Sequence, residues 1–207
     1  MSEPPIPTFQ FSSKHLDDIP FQIMRFEELP DIATQAFPRR RAFYEIFWIT
    51  DGTGVHHIDF EAYSIIPNTL YFLTPGQVSF WELQGETKGY SVLFTQDFMA
   101  TNLLEHITLR SFDFYHSTMH RPIIHIDDET AWIFTAICDH MFNEYHGSSF
   151  GRYSLLQCQL ITFMIHAQRH YQPISPTEVS AGDKLIIDYL RLIDDHFHEV
   201  QSIKEYA

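Results

Sequence analysis

The fold is decided by residues 44–80, YEIFWITDGTGVHHIDFEAYSIIPNTLYFLTPGQVSF. Short runs of β-branched and aromatic residues alternate there with turn-forming residues, a pattern typical of consecutive β-strands. The turn-forming segments are Asp51–Gly54, Pro67–Asn68 and Pro75–Gly76. A two-residue loop at Gly52–Thr53 predicts that the first two strands form a hairpin, with Ile49 opposite His56.

Strand signals extend on both sides of this stretch. We predict strands over the segments 43–50, 55–60, 62–66, 70–74, 78–83 and 88–95. Short strands at this regular spacing indicate a sandwich or a barrel, and the absence of helix patterns between them argues against a parallel α/β sheet. Residues 96–104 predict a short helix, and residues 123–126 predict a last strand.

The hydrophobic period becomes helical in the second half of the chain. Residues 127–128 are aspartates that can cap a helix running to about residue 145, and residues 151–170 predict a second helix. A heptad-like stripe lies along the second helix: Leu156, Leu160, Phe163 and Ala167. Prolines within 173–182 indicate a linker, and residues 183–198 predict a third helix.

Composition excludes several classes of protein. The 207 residues are 44% hydrophobic, which is enough for a folded core, and 13 Lys and Arg against 27 Asp and Glu give a net charge of −14. A free-standing nucleic-acid binder normally carries a basic face, so this charge argues against one. Two cysteines cannot form a disulfide framework. With no signal peptide and no apolar run of about 18 residues, we expect a cytoplasmic protein without a membrane partner.

Two stretches resemble one family. Residues 44–80 resemble the N-terminal cupin barrel of AraC/XylS-type bacterial transcription regulators, and KLIIDYLRLIDDHFHEVQSIKEYA (184–207) resembles the opening of that family's DNA-binding domain. The resemblance implies an α+β fold with four parts: a cupin-like, effector-binding double-stranded β-helix over 1–126, a helical dimerisation region over 127–172, a linker over 173–182, and the first helix and start of the helix-turn-helix domain over 183–207. The helices that read DNA in this family would follow residue 207.

Metal-dependent cupins resemble one another in a His-x-His, a Glu four residues later and a further His. On this resemblance the four ligand positions fall on Arg39, Arg41, Glu45 and Ser79. Arginine stays protonated and cannot coordinate a cation, and serine is a poor ligand for transition metals, so we expect no metal and no cofactor. A substitute site from His56, His57 and Asp59 is disfavoured because adjacent strand residues point to opposite faces.

Strand alternation instead predicts a ligand site inside the barrel. Its candidate residues are Arg39, Arg41, Glu45, Phe47, Gln77, Ser79 and Trp81. Guanidinium, carboxylate, amide and hydroxyl groups in aromatic surroundings suit a small anionic or sugar-like effector, and Trp81 could stack on a planar or sugar-like ligand. The alternatives are that Arg39 and Arg41 lie in a solvated turn and that Trp81 is ordinary core.

The family resemblance also implies a homodimer. The stripe that begins at Leu156 is the candidate seam, and its alternative is packing against the barrel or the first helix. Cys138 and Cys158 are interpreted as buried apolar residues.

The sequence therefore predicts the effector-sensing and dimerisation region of an AraC-type regulator, which is not an enzyme and contacts DNA only through the following domain. The alternatives are a cupin-fold enzyme, such as an isomerase or oxygenase, and a barrel that only dimerises. No nucleophile–base arrangement supports the enzyme.

Overall fold

The computed structural model describes most of the chain up to residue 171. The described residues are 6–12, 19–30, 34, 36–59, 61–100, 107–115 and 122–171. The linker, the third helix and the helix-turn-helix start predicted from the sequence lie outside them.

Ten strands and three α-helices make up the described fold. The strands are β1 Thr8–Phe9, β2 Phe21–Arg25, β3 Arg39–Arg41, β4 Tyr44–Asp51, β5 Gly54–Ile58, β6 Glu61–Ile65, β7 Thr69–Leu73, β8 Val78–Leu83, β9 Lys88–Phe94 and β10 Ile123–His125. The helices are α1 Gln96–Ala100, α2 Ala131–His146 and α3 Arg152–His170. Single 3₁₀ turns occur at Phe26–Glu28, Leu109–Ser111 and Asp113–Tyr115. The predicted α+β class is confirmed.

The strands form two five-stranded sheets. One, which we call the open sheet, has the order β1-β3-β8-β5-β6, and the other, the helix-backed sheet, has the order β10-β7-β4-β9-β2. Their inner faces enclose an aromatic core in which Phe47 of β4 lies 4.9 Å from Trp81 of β8, measured between ring centroids. Among the described strands, the sheets do not join into a closed barrel, so the fold is a cupin-like sandwich.

Helices α2 and α3 cover the outer face of the helix-backed sheet. They share one hydrophobic core with it, in which Phe134 and Leu160 are fully buried. Two hydrogen bonds join sheet to helix: the Trp48 indole donates to Thr135 at 3.1 Å, and the Tyr90 hydroxyl donates to Asp139 at 2.5 Å. None of the described helices combines the length and the apolarity that a bilayer crossing requires.

The predicted hairpin is wrong, although its strands are real. Strand β4 pairs with β7 and β9, whereas β5 pairs with β6 and β8. The Asp51–Gly54 segment is therefore a corner that carries the chain from the helix-backed sheet to the open sheet. Its glycines have φ values of +137° at Gly52 and +141° at Gly54, which side chains rarely tolerate. Ile49 and His56 still both face the interior, because alternation along a strand does not depend on its partner.

We expect Gly54→Ala to destabilise the protein by about 3 kcal/mol or more, because the new methyl group would meet a fixed backbone atom as well as an unfavourable φ. A Cβ at Gly54 would lie 2.3 Å from the carbonyl oxygen of Glu82. Gly76→Ala is the matched control: Gly76 also has a positive φ, of +91°, but nothing within 4 Å of the added carbon, so it should cost about 1 kcal/mol. Urea unfolding measures both, and equal losses would refute the steric role of the corner.

Candidate functional site

A chain of four polar side chains crosses the sandwich between the sheets. Arg41 ends β3 in the open sheet, and Glu45 lies near the start of β4 in the helix-backed sheet. The Arg41 Nε contacts Glu45 Oε2, and Arg41 Nη1 donates to Ser79 Oγ at 2.7 Å. On the other side, Ser91 Oγ donates to Glu45 Oε1 at 3.0 Å. All four residues are buried, so the ion pair fastens the two sheets together in a region of low dielectric.

Arg39 adds a second guanidinium to this cluster. It lies two residues before Arg41 on the same face of β3, opposite Ser79 in the strand register, and is only 2% exposed. Burial, with a further contribution from the Arg41 charge, lowers the pKa of Arg39 to about 10. Arg39 is therefore protonated at neutral pH, and the cluster holds two cations and one carboxylate.

Glu45 is the carboxylate of the cluster. Burial raises its pKa, while the Arg41 charge and the hydrogen bond from Ser91 oppose that shift. Both carboxylate oxygens face a donor, one on Arg41 and one on Ser91, which suits the ionised form of the group.

A cavity of about 190 Å³ lies beside the cluster and is partly open to solvent. Its apolar wall includes Phe9, Phe11, Met24, Leu29, Phe43 and Leu93. Its polar wall includes Gln22, Arg39, Arg41 and Glu45. Strand alternation explains the polar wall, because Arg39 and Arg41 stand two residues apart and thus share one face of β3. The result is an apolar chamber with a cationic wall, the arrangement that holds a small amphipathic molecule.

His56 lies deeper in the sandwich, away from the cavity lining. Its ring stacks on Trp81 with centroids 3.5 Å apart and an interplanar angle of 10°. Within the described part of the chain, neither ring nitrogen has a hydrogen-bond partner. Burial lowers the pKa of His56 well below 6.5, and the charges of Arg41, His57 and Arg39 lower it further, so the imidazole is neutral.

Comparison with known proteins places this geometry in a family. Residues 30–152, more than half of the chain, match the sequence profile of the family described as the AraC-like ligand binding domain. The chain belongs to the family of AraC-like ligand binding domains. No sequence among curated proteins matches the chain.

Solved structures of regulators are similar at low identity. The AraC-like transcriptional activator CuxR shares 11% identity at a TM-score of 0.43, with 76% of this chain and 52% of CuxR covered. An apo form of ToxT from Vibrio cholerae shares 15% identity at a TM-score of 0.47, with 75% and 58% covered. ToxT has also been solved with an unsaturated fatty acid bound, and that structure shares 14% identity at a TM-score of 0.39, with 74% and 56% covered. The chain thus spans about half the length of these proteins.

The AraC-like ligand binding domain brings four predicted site residues together. Arg39, Arg41, Glu45 and Ser79 form one buried cluster, and the alternative of a solvated turn for the two arginines does not hold. These are the four positions that the resemblance aligns with a cupin metal site. In the described residues, no three His, Cys, Asp or Glu side chains approach one another closely enough to bind a metal ion. A metal ion there would also face the two guanidinium charges.

The other three predicted site residues lie elsewhere. Phe47 and Trp81 belong to the sealed aromatic core and do not line the cavity. Gln77 fixes the turn before β8: its side chain accepts from the Thr74 backbone at 2.8 Å and donates to Asp59 at 3.0 Å. The sequence pattern missed them because strand alternation separates inside from outside but does not locate the cavity along the strand.

Several residues that line the cavity were not predicted from the sequence, and they precede the segment that matches the family. Gln22 and Met24 belong to β2, and Phe9 and Phe11 belong to the N-terminal segment around β1. The sequence did contain a pattern that predicts β2, because Phe21 and Ile23 alternate with Gln22 and Met24. In the structure, Phe21 and Ile23 belong to the core shared with α2 and α3.

The residues of the predicted dimer seam are buried within the protomer itself. Leu156, Leu160, Phe163 and Ala167 are each fully buried against α2 and the helix-backed sheet. None is available to a second copy, so the alternative of packing within the protomer applies. The interpretation of the cysteines is half right: Cys138 is buried, but Cys158 is exposed on α3.

We expect Glu45→Gln to destabilise the domain by about 3–5 kcal/mol, because it leaves the buried Arg41 guanidinium without its carboxylate. The double variant Glu45→Gln with Arg41→Gln restores the charge balance to one cation and should recover most of the loss. Glu82→Gln, at an exposed position of the open sheet, is the control and should change stability by less than about 0.5 kcal/mol. Chemical denaturation measures all three, and additive losses in the double variant would contradict the coupling.

His56 predicts an acid-sensitive stability. The unfolded chain binds a proton at this residue below about pH 6.5, whereas the folded form with its lowered pKa does not, so stability present above pH 6.5 is lost as the pH falls. His56→Phe removes this loss, and we expect its stability relative to the wild type to rise by up to about 2 kcal/mol between pH 8 and pH 5.

The control for this prediction is His57→Phe, because His57 stacks on Phe80 on the outer face of the open sheet. Urea midpoints measured at both pH values provide the comparison. Parallel pH slopes for wild type and His56→Phe would show that His56 titrates alike in the folded and unfolded states.

Proposed function

We propose that the chain is the effector-sensing region of an AraC-type transcription regulator. The observation that carries the proposal is the cavity with its buried cationic wall, since Arg39 and Arg41 of that wall belong to the segment that matches the AraC-like ligand binding domain. A protein that only dimerises has no use for two buried guanidinium groups beside a cavity, since burying charge costs free energy. The effector that fits is a small, partly apolar molecule that carries a polar or anionic group.

The wider function follows from the domain division predicted by the sequence. The sandwich binds the effector, the helical region beginning near residue 127 holds two copies together, and the segment after the linker leads into a DNA-binding domain. In this proposal the chain works in the cytoplasm and reaches DNA only through that domain. No arrangement of nucleophile and base emerges at the cavity, whose polar groups are suited to binding rather than to proton transfer.

Pairing of two copies requires a surface other than the predicted stripe. The outer face of α3 offers Leu155, which is 44% exposed, and the exposed Cys158 and Thr162. These positions follow one another at intervals of three and four residues, which is the spacing of a helix–helix seam. We therefore assign the pairing of copies to this face within the proposed function.

The test of the proposed function is native mass spectrometry of the purified chain, followed by a thermal-shift screen of sugars, carboxylates, amines and nucleosides. We expect a dimer, and a co-purified small molecule or at least one compound that raises Tm in a concentration-dependent way. Leu93→Trp, which fills the cavity wall, should weaken that effect at least tenfold. Ile66→Trp is the control, because Ile66 is 44% exposed and lies outside the cavity lining.

Two results would contradict the proposal. If no compound raises Tm and no small molecule co-purifies, the cavity does not sense an effector. If Leu93→Trp and Ile66→Trp respond equally to an active compound, the compound binds elsewhere.

A further inference from the structure

We propose that the effector is a neutral aromatic amide of about eight to ten non-hydrogen atoms, and that Gln22 is the residue that selects its amide group. This inference rests on the proposed function and names the class of its ligand. It depends on the hydrogen bonds open to Gln22, on the partners of the charged wall residues, and on the shape and size of the cavity.

Gln22 is a nearly buried amide in the wall of the cavity. It is 7% exposed and lines the cavity from β2. Its amide nitrogen donates to the sulfur of Met24 at 3.3 Å, and within the described part of the chain its oxygen accepts no hydrogen bond. A thioether is a weak acceptor, and polar groups with so little exposure are normally hydrogen-bonded. Gln22 can therefore offer both a donor and an acceptor to a ligand.

The charged groups of the same wall are engaged within the protein. Arg41 contacts Glu45 and donates to Ser79 at 2.7 Å. Arg39 is not free either, and its guanidinium lies over the Phe37 ring at 5.1 Å from the centroid. A carboxylate ligand would give up its hydration and would have to displace one of these contacts to find a partner. A neutral ligand leaves all of them in place.

The group that complements Gln22 is another amide. A side-chain amide presents an N–H donor next to a carbonyl acceptor. A primary amide of the ligand presents the same two groups, so the two amides can join through two parallel hydrogen bonds. A ketone would use only the donor of Gln22, and a carboxylate would bring two acceptors and a charge.

The strand register places the body of the ligand against Leu93. Gln22 pairs with Leu93 of β9, and Leu93 pairs with Glu45 of β4, so these three lining residues form one row across the helix-backed sheet. Phe11 and Phe43, which meet edge to face at 5.8 Å between centroids, belong to the same lining. An aromatic ring gains here from leaving water and from contacts with other rings, whereas the hydroxyl groups of a sugar would lack partners.

The volume of the cavity limits the size of that body. The cavity holds about 190 Å³, and a cavity of about 150 Å³ is known to accommodate a benzene molecule. The occupant is therefore slightly larger than a six-carbon ring and smaller than the drug-sized ligands of typical pockets, which occupy about 300 Å³ or more. Benzamide has this size.

The experiment is isothermal titration of the 207-residue chain with three probes of nearly the same shape: benzamide, acetophenone and benzoate. Acetophenone carries a methyl group in place of the amide nitrogen, and benzoate carries a charge. We expect benzamide to bind and acetophenone to bind at least about fivefold more weakly, the effect of losing one hydrogen bond. Benzoate should bind at least about tenfold more weakly than benzamide, because its charge must be desolvated.

Gln22→Met keeps the length of the side chain and removes both hydrogen-bonding groups. It should weaken benzamide binding by about tenfold or more, because the amide of the ligand is then left unpaired. It should also bring the affinities for benzamide and acetophenone within about twofold of each other. Thermal unfolding of this variant should stay cooperative, because the hydrogen bond that it loses within the protein is weak.

Gln10→Met is the matched control. Gln10 belongs to the same lining but is exposed, so its amide is hydrated and its loss should leave the preference for benzamide over acetophenone unchanged. The comparison of the three probes on the wild type uses no variant, so it decides the class of the ligand even if Gln22→Met does not fold.

The remaining outcomes separate the two proposals. Equal affinity of the wild type for benzamide and acetophenone, or an unchanged preference in Gln22→Met, overturns the role of Gln22. Tighter binding of benzoate than of benzamide overturns the neutral amide and leaves effector sensing intact. The same holds if benzamide does not bind while another compound raises Tm in the thermal-shift screen. If that screen also finds no ligand, the proposed function itself fails.

Discussion

The contact between Arg41 and Glu45 is the constraint on which the rest of the structure depends. The two residues lie four positions apart, yet one belongs to the open sheet and the other to the helix-backed sheet. In a low-dielectric interior, the desolvation penalty of an ion pair exceeds its Coulombic attraction unless the geometry is good and further hydrogen bonds satisfy both groups. Ser79 and Ser91 supply those bonds, one from each sheet. The spacing of the sheets is thereby fixed at the place where the cavity opens.

Arg39 places a second buried guanidinium group beside this pair, on the wall of the cavity. A sandwich needs no second guanidinium group to hold its sheets together, and burying one lowers the pKa of Arg39 to about 10. Part of the free energy that this burial costs is offset by Phe37, because the Arg39 guanidinium lies over its ring at 5.1 Å from the centroid. Buried charged groups beside a cavity are common at binding sites. Because the chain has a net charge of −14, an anion that reaches this local positive group must approach against the electrostatic field of the whole chain.

Alternation predicted which side chains face inward but not which strands are neighbours. The cupin resemblance and period-two alternation together predict that Arg39, Arg41 and Glu45 face inward, and the structure buries all three. The hairpin prediction is wrong because Gly52 and Gly54 permit a corner between two sheets as readily as a tight turn. Only the pairing partners of each strand distinguish the two arrangements. The prediction that the heptad stripe of α3 is a dimer seam is wrong for a related reason. A helix face buried against a sheet and one buried against a second copy have the same hydrophobic pattern in the sequence. The position of the cavity depends on strands β2, β3, β4 and β9 and on the segment around Phe11, which are distant in sequence, so no local pattern reveals it.

The helix-backed sheet places the cavity and the helices on opposite faces of one wall. On β9, Ser91 faces the cluster while its neighbour Tyr90 faces α2, where it donates to Asp139. On β4, Glu45 faces the cluster while Trp48 reaches Thr135 of α2. A sensor requires the effector to favour one of two arrangements of the protein. In the proposed function, an effector in the cavity would contact Arg41 and Glu45, so it would alter the forces on β4 at Glu45 and, through Ser91, on β9. Neighbouring residues of those two strands are hydrogen-bonded to α2, so under this proposal a shift of the strands would also move the helical region.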